Sequence, residues 1–340
     1  MLTTNRYGVG DGLLGLLEPL EVKGLTLRNR IVMPPMQSGR ASFAGEVTNR
    51  LINFYVSRSI AVGLPIVEHS YIMPTGKIGP KQLGIYSDTL IEGFERLTSA
   101  IHNVGAPAVL QITHAGGVAN RKVIGTQPAG PSERGKTRGL TVAELLQIAD
   151  EFALAAERAI KAGFDGIELH GAHGYLLNQF FTPLLNKRND EYGGSLENRM
   201  RFPLLVVQRV KARLGGKLLL YRLGSDDLAP NGTSVEDSVT FAKRLEDSGV
   251  DILDISGGMC GSEPKQLKHI KGYFLPQASE IKKAANVPVI GVGGIREAVY
   301  ADKLVRDGVV DLVAVGRALL KDSKWAEKAV ERLGTKAVDV

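Results

Sequence analysis

Apolar and polar positions along the chain switch between two periods, and that alternation is the first guide to its architecture. Short apolar runs suited to buried strands occur at Arg30–Met36 (RIVMPPM), Pro65–Glu68, Pro107–Thr113 (PAVLQIT), Asp165–His170, Lys217–Leu223 (KLLLYRL), Asp251–Ser256 (DILDIS), Val287–Val292 and Asp311–Val315. Between them apolar residues return with helical spacing. Asn49–Ala61 carries Leu51, Phe54 and Tyr55, and the stretch from Ser87-Asp88 to Asn103 carries Leu90, Phe94, Leu97 and Ile101. Thr141-Val142-Ala143-Glu144 has the form of a capping box and opens a helix to Ala162, which Gly163 ends. Further helices are expected over Leu196–Leu214, from Ser234 to Gly249, near Gln277–Ala285, over Arg296–Arg306 and from near Leu319. Eight strands, each followed by a helix, imply a parallel sheet closed into a single (β/α)8 barrel over residues 1–340. A doubly wound sheet is the alternative, but no G-x-G-x-x-G follows the first strand. Residues 1–17 are glycine-rich and aperiodic. No strand precedes Gly8-Val9-Gly10-Asp11-Gly12, so a loose N-terminal arm is expected.

Composition narrows the setting. The 340 residues are 44% hydrophobic and 23% charged, enough for a large core. The net charge is +6, but Lys and Arg are interspersed with Asp and Glu, so a nucleic-acid surface is not indicated and small anionic ligands fit the balance equally well. Cys260 stands alone, which excludes an internal disulfide framework and an iron–sulfur cluster held by the chain's own thiolates. There is no apolar run of about 18 residues and no signal-like segment, so a cytoplasmic protein without a membrane partner is expected.

In such a barrel the chemistry collects at the C-terminal ends of the strands. The central stretch is His170-Gly171-Ala172-His173-Gly174-Tyr175, following the strand that holds Ile167, Glu168 and Leu169. If that strand alternates, Glu168 and His170 share a face, where inward polar groups are costly unless used or paired. Two imidazoles and a phenol supply donors to an oxygen and a proton source, which suits polarising a carbonyl and protonating its neighbour. A zinc site and a pair of satisfied structural histidines are the competing readings. The chain has no HExxH, and one cysteine adds little to a metal set. Other strand ends carry Pro35-Met36-Gln37, Glu68-His69, Gln111 with His114, Arg222, Ser256, Gly293-Gly294 and Gly316-Arg317. The last two pairs set bare backbone N–H groups at helix starts after the seventh and eighth strands, a phosphate cradle to which Arg317 adds a guanidinium. Plain tight turns would explain the same glycines. Arg222 and Gln111 could serve the polar edge of a ring with Pro35-Met36 as apolar backing, or Arg222 could be a structural ion-pair residue.

Several segments, some of which carry these residues, resemble the old yellow enzyme family of FMN-dependent NAD(P)H oxidoreductases, and the resemblance runs over nearly the whole chain. They are RNRIVMPPM (28–36), GPKQLGIYSD (79–88), LQITHAGG (110–117), ELHGAHGYLLNQFFTPLLNKRNDEYGGSLENRMRF (168–202), VIGVGGI (289–295) and DLVAVGRALL (311–320). The resemblance implies a barrel holding FMN at its mouth. Pro34, Pro35, Met36 and Gln37 would back the flavin ring, with Gln37 near its C4 oxygen and N5, and His69 would stand next to backbone that contacts the cofactor. Gln111 would bond the pyrimidine edge, Arg222 would lie by N1 and the C2 oxygen, and Gly293, Gly294, Gly316 and Arg317 would hold the phosphate. His170 and His173 would bind the substrate oxygen and Tyr175 would be the proton donor. The implied reaction is ping-pong. NADH or NADPH reduces FMN and leaves, an α,β-unsaturated carbonyl compound takes its place, hydride reaches the β-carbon, and Tyr175 protonates the α-carbon. Four positions depart from the family pattern. Gln37 stands where Thr or Cys is usual, His69 where a small residue is usual, Gly39 where some relatives place a Tyr, and Gly117 where an Arg is common. No cysteine cluster or further nucleotide-binding domain follows, so a stand-alone barrel is expected, with homo-oligomer formation left open.

Three other functions compete. An enzyme on the same scaffold could oxidise an amine or another donor, although paired imidazoles suit an anionic oxygen better than a cation. A cofactor-free lyase or isomerase of sugar phosphates could use the same cradle, but usually needs a Lys or paired carboxylates at strand ends, and none stands there. A purely structural barrel would leave the polar strand ends without purpose.

Overall fold

The computed structural model describes residues 15–335. Eight parallel strands close into a barrel: β1 Ile31–Met33, β2 Leu64–Tyr71, β3 Val109–Thr113, β4 Gly166–Gly171, β5 Leu218–Gly224, β6 Ile252–Ser256, β7 Val289–Gly291 and β8 Leu312–Ala314. Each pairs with the next in chain order, and β8 returns to β1. Every position of these strands is buried, as expected of a parallel sheet covered on both faces. The outer ring consists of α1 Asn49–Ser59, α2 Ile91–His102, α3 Val142–Lys161, α4 Leu196–Lys211, α5 Val235–Asp247, α6 Leu275–Ala284, α7 Ala298–Arg306 and α8 Trp325–Gly334. Local chemistry sets the limits of α3. The Thr141 hydroxyl accepts from the Glu144 N–H, the Thr141 N–H donates back to the Glu144 carboxylate at 2.8 Å, and Gly163 ends the helix at a φ of +87°.

Apolar packing forms two shells. Ile31, Met33, Val67, Leu110, Ile167, Leu169 and Leu253 face outward against helix residues such as Leu51, Phe94 and Phe152. Val32, Leu64, Ile66, Val109, Leu218, Leu220, Ile252, Ile290 and Leu312 fill the lower interior. Burial of each such side chain contributes on the order of 1.5–3 kcal/mol. An antiparallel hairpin, Leu20–Val22 with Leu25–Leu27, adds Leu20, Val22 and Leu27 to the inner cluster. Lys23 Nζ donates to the Lys217 carbonyl (3.2 Å) and the Asp251 carboxylate (3.1 Å), at the starts of β5 and β6. The hairpin therefore stoppers the N-terminal end of the barrel.

The structure corrects three expectations. Residues 1–14 of the expected arm, including Gly8–Gly12, lie outside the described residues, but its last part is not loose. Leu16 is fully buried, its N–H donates to Asp302 (2.8 Å), and its carbonyl accepts from the Arg30 N–H (2.8 Å). The helix expected from Leu319 is two helices, Arg317–Lys321 and α8, separated at Asp322, where the backbone is extended. The second strand, expected to stop at Glu68, continues to Tyr71 through a bulge. Val67 opposes Leu110 and Ser70 opposes Ile112, so Glu68 and His69 together face Gln111.

Candidate active site

A cavity of about 390 Å³ opens at the C-terminal mouth of the barrel. Pro34, Pro35, Met36, Gln37, His69, His170, His173, Tyr175, Arg222, Gly294, Gly316 and Arg317 all line it. Gln111 and Gly293 do not. Gln111 is wholly buried with its Nε2 donating to Glu168 (2.8 Å), and the Gly293 carbonyl is engaged by the N–H groups of Gly272 (2.6 Å) and Tyr273 (3.2 Å). His114 also lies off the wall, where it accepts from the Gly116 N–H (3.0 Å) and packs against Gly76.

The end of β4 folds back on itself. His173 and Gly174 take left-handed φ values of +58° and +75°, a turn that glycine makes freely and histidine rarely. The His173 ring thereby stands perpendicular to His170 at 5.0 Å, while Tyr175 lies 4.6 Å from His170 and 5.4 Å from His69. His173 Nε2 shares a hydrogen bond with the Ser256 hydroxyl (2.7 Å), whereas the buried His170 Nδ1 has no partner. Burial is the main cause holding both imidazoles well below their ordinary range. His173, His69 and Arg222 add to the effect at His170, and Arg222 and His69 add to it at His173. Burial likewise raises the Tyr175 phenol. Near neutral pH the group therefore consists of uncharged N–H donors beside a protonated hydroxyl.

A charged layer separates this mouth from the apolar floor. Arg222 pairs in register with His170 on one side and Asp254 on the other, and its Nε lies 3.3 Å from the Asp254 carboxylate. That contact is an ion pair without hydrogen-bond geometry, since Arg222 Nε, both Asp254 oxygens and Glu168 Oε2 lack hydrogen-bond partners. Burial, then the Asp254 charge, pushes Glu168 well up, and burial also raises Asp254 against the opposing pull of Arg222. Both carboxyls are thus pushed toward the protonated form, Glu168 the more strongly because Arg222 sits against Asp254.

Ser262, Glu263, Tyr273 and Arg296 also line the cavity. They come from the long connection after β6 and the approach to α7, where no period or motif singles them out in the sequence. Arg317 already has partners, an ion pair with Glu263 and a hydrogen bond to the Tyr273 hydroxyl (3.1 Å). The donor set fits FMN. Pro34, Pro35 and Met36 offer an apolar face, Arg222 and the imidazoles offer donors to acceptor-rich edges, and Arg296 and Arg317 supply cations for an anionic tail. Among the described residues no three His, Cys, Asp or Glu side chains converge as a metal set, and no helix is long and apolar enough to cross a membrane.

Comparison with known proteins places the chain in a family. The model of the NADH:flavin oxidoreductase / NADH oxidase family matches residues 15–336. The chain is 42% identical over 323 residues to an NADH oxidase of Thermoanaerobacter brockii, covering 91% of this chain and 50% of that protein, so it spans about half the length of that relative. It is 38% identical to an NADPH dehydrogenase of Geobacillus sp. (strain WCH70), covering 94% of this chain and 95% of that one. Among solved structures it is similar to a 2-naphthoyl-CoA reductase in complex with 2-naphthoyl-CoA, with a TM-score of 0.89 and 25% identity over 93% of this chain and 52% of the other. It is also similar to an old yellow enzyme homologue from Zymomonas mobilis, with a TM-score of 0.82 and 29% identity over 94% and 93% of the two chains.

Proposed function

The chain belongs to the NADH:flavin oxidoreductase / NADH oxidase family, whose old-yellow-enzyme-like members are FMN-dependent NAD(P)H oxidoreductases, and from that membership we propose that it reduces the activated C=C bond of α,β-unsaturated carbonyl compounds. The observation that carries this reading is the convergence of His170, His173 and Tyr175 across one cavity from the Pro34–Gln37 wall.

Pro34 to Gln37, Arg222, Gly294, Gly316 and Arg317 would hold FMN, with Arg317 exchanging Glu263 for the phosphate, and Gln111 and Gly293, which stand off the wall, reaching it only by a local shift, Gln111 by turning away from Glu168. When bound, FMN supplies the two-electron exchange with NAD(P)H and with the substrate. The chain itself positions the substrate and delivers the proton. His170 and His173 hold the carbonyl oxygen as negative charge builds on it, and preorganised donors of this kind are each worth roughly 10²–10³-fold in rate. Tyr175, kept protonated by burial, gives its proton to the α-carbon. The Arg222 cation, held beneath the site by Asp254, favours an anionic ring edge.

Anaerobic spectroscopy tests the proposal. NADH or NADPH should bleach the flavin absorbance, and 2-cyclohexen-1-one should restore it with formation of the saturated ketone. The double variant His170→Ala/His173→Ala should still bleach but recover slowly. Bleaching by the wild type with no enone-dependent recovery would sink the enone assignment and leave the family chemistry intact.

A further inference from the structure

His69 and Gln82 form a buried relay beside the mouth that the chemistry described above leaves unused. The bulge in β2 turns His69 into the cavity wall, between the rings of Tyr175 (5.4 Å) and His170 (5.9 Å). Its Nδ1 lies 3.0 Å from Gln82 Nε2, and the same Gln82 nitrogen lies 3.2 Å from the His69 carbonyl oxygen. Gln82 cannot be turned over. Its Oε1 accepts from the Ile78 backbone N–H at 2.8 Å, and a flipped amide would set two donors against each other there and two oxygens against each other at His69. The Gln82 nitrogen therefore donates and His69 Nδ1 accepts, which confines the proton of the neutral ring to Nε2. Burial, with the Arg222 charge adding to it, pushes this imidazole down to about 4, so the neutral form prevails at ordinary pH.

We propose that Gln82 holds His69 as its Nε2–H tautomer, making His69 a hydrogen-bond donor to an sp² acceptor of the ligand in the mouth, either the edge of the flavin ring or the carbonyl oxygen of the substrate. This rests on reading the mouth as the flavin and substrate site. Gln82 is a positioning residue and acts on the ligand only through the ring. A third uncharged donor beside His170 and His173 selects ligands rich in carbonyl oxygens and disfavours those that present an amine N–H at this point.

Long-range ¹H–¹⁵N correlation on the ¹⁵N-labelled holoenzyme reads the tautomer directly, with the His69 signals assigned by their loss in His69→Gln. The expected pattern is Nε2-protonated and uncharged at pH 7. Gln82→Glu, which places an acceptor opposite Nδ1, should move the proton there or charge the ring. Two further arms locate the acceptor. His69→Leu removes the donor, and loss of one neutral hydrogen bond should weaken the affected interaction about 2- to 12-fold, with partial rescue by His69→Gln. A change in FMN dissociation constant and reduction potential assigns the flavin edge, and a raised KM for 2-cyclohexen-1-one at unchanged flavin affinity assigns the substrate. An Nδ1-protonated or charged His69 in the wild type overturns the proposal, as does an unchanged result in both arms. If the wild type reduces no enone at all, the functional reading fails, while the tautomer and the flavin arm still decide the role of His69. Should His69→Leu fail to fold, the wild-type spectrum and Gln82→Glu carry the test.

Discussion

His173 sits in a backbone conformation that few residue types enter, so the side chains able to replace it are limited by φ before chemistry is considered. His173→Asn should unfold in urea close to the wild type and keep part of its turnover, because Asn enters the left-handed region readily and offers an amide donor. His173→Val should lose roughly 1–3 kcal/mol, and equal stability for the two variants would argue against strain at this turn. A second residue-scale effect concerns buried imidazoles. Burial pushes His69 and His114 from an ordinary value of 6.5 to about 4. Below pH 6.5 the unfolded chain binds protons that the folded chain refuses, so the stability gained by keeping these rings neutral is present above that pH and lost as pH falls toward 4. Glu168 runs the other way. Its raised pKa favours the folded state below the ordinary 4.5 and that advantage fades as pH rises through its folded value. The melting temperature of wild-type protein should fall between pH 6.5 and 4, and more shallowly for His114→Gln. An identical slope would show that His114 takes no part.

At the scale of elements, β2 shows where sequence reading reaches and where it stops. The alternation of strand and helix was legible because each helix carries an apolar stripe and each strand a compact apolar run, and α3 announces both its ends with a capping box and a glycine. The bulge was not legible. It lies in a strand buried at every position, so one extra residue leaves no break in a polar–apolar pattern. Its support comes from outside the strand. The Glu68 N–H donates to the Tyr55 hydroxyl (2.7 Å), and the Glu68 carboxylate accepts from the Ser38 N–H (3.1 Å). Tyr55→Phe would strand the Glu68 N–H in the interior, at a cost of about 1–3 kcal/mol in chemical denaturation. It should also broaden the His69 ring signals as the bulge loosens. A variant as stable as the wild type, with sharp His69 signals, would show that the bulge holds without α1.

Taken as a whole, the barrel is stratified into a stoppered apolar floor, a charged layer and an open mouth. The rule that chemistry sits at strand ends made most of the mouth legible. It did not show that Gln111 and Gly293 stand off the cavity wall, because the rule places a residue near the mouth without saying which way its amide or carbonyl turns. It missed Tyr273 and Arg296 because they arrive on connections rather than strand ends. The layered interior gives Arg222 a structural role, beside the flavin-holding role proposed for it. Arg222→Ala leaves Asp254 buried without its cation and should cost about 3–5 kcal/mol together with flavin retention. Adding Asp254→Asn should recover much of the stability but not the flavin, so the two roles separate in a double-mutant cycle. Recovery of both would mean that Arg222 serves the fold alone. The hairpin across the floor has a further consequence. Among the described residues it closes the end of the barrel opposite the mouth, so under the proposed function reductant and acceptor would have to share that mouth and exclude one another. Turnover should therefore pass through a maximum and decline as enone concentration rises, and added NAD(P)H should relieve the decline. A rate that simply saturates would mean that the two travellers do not queue at the same door.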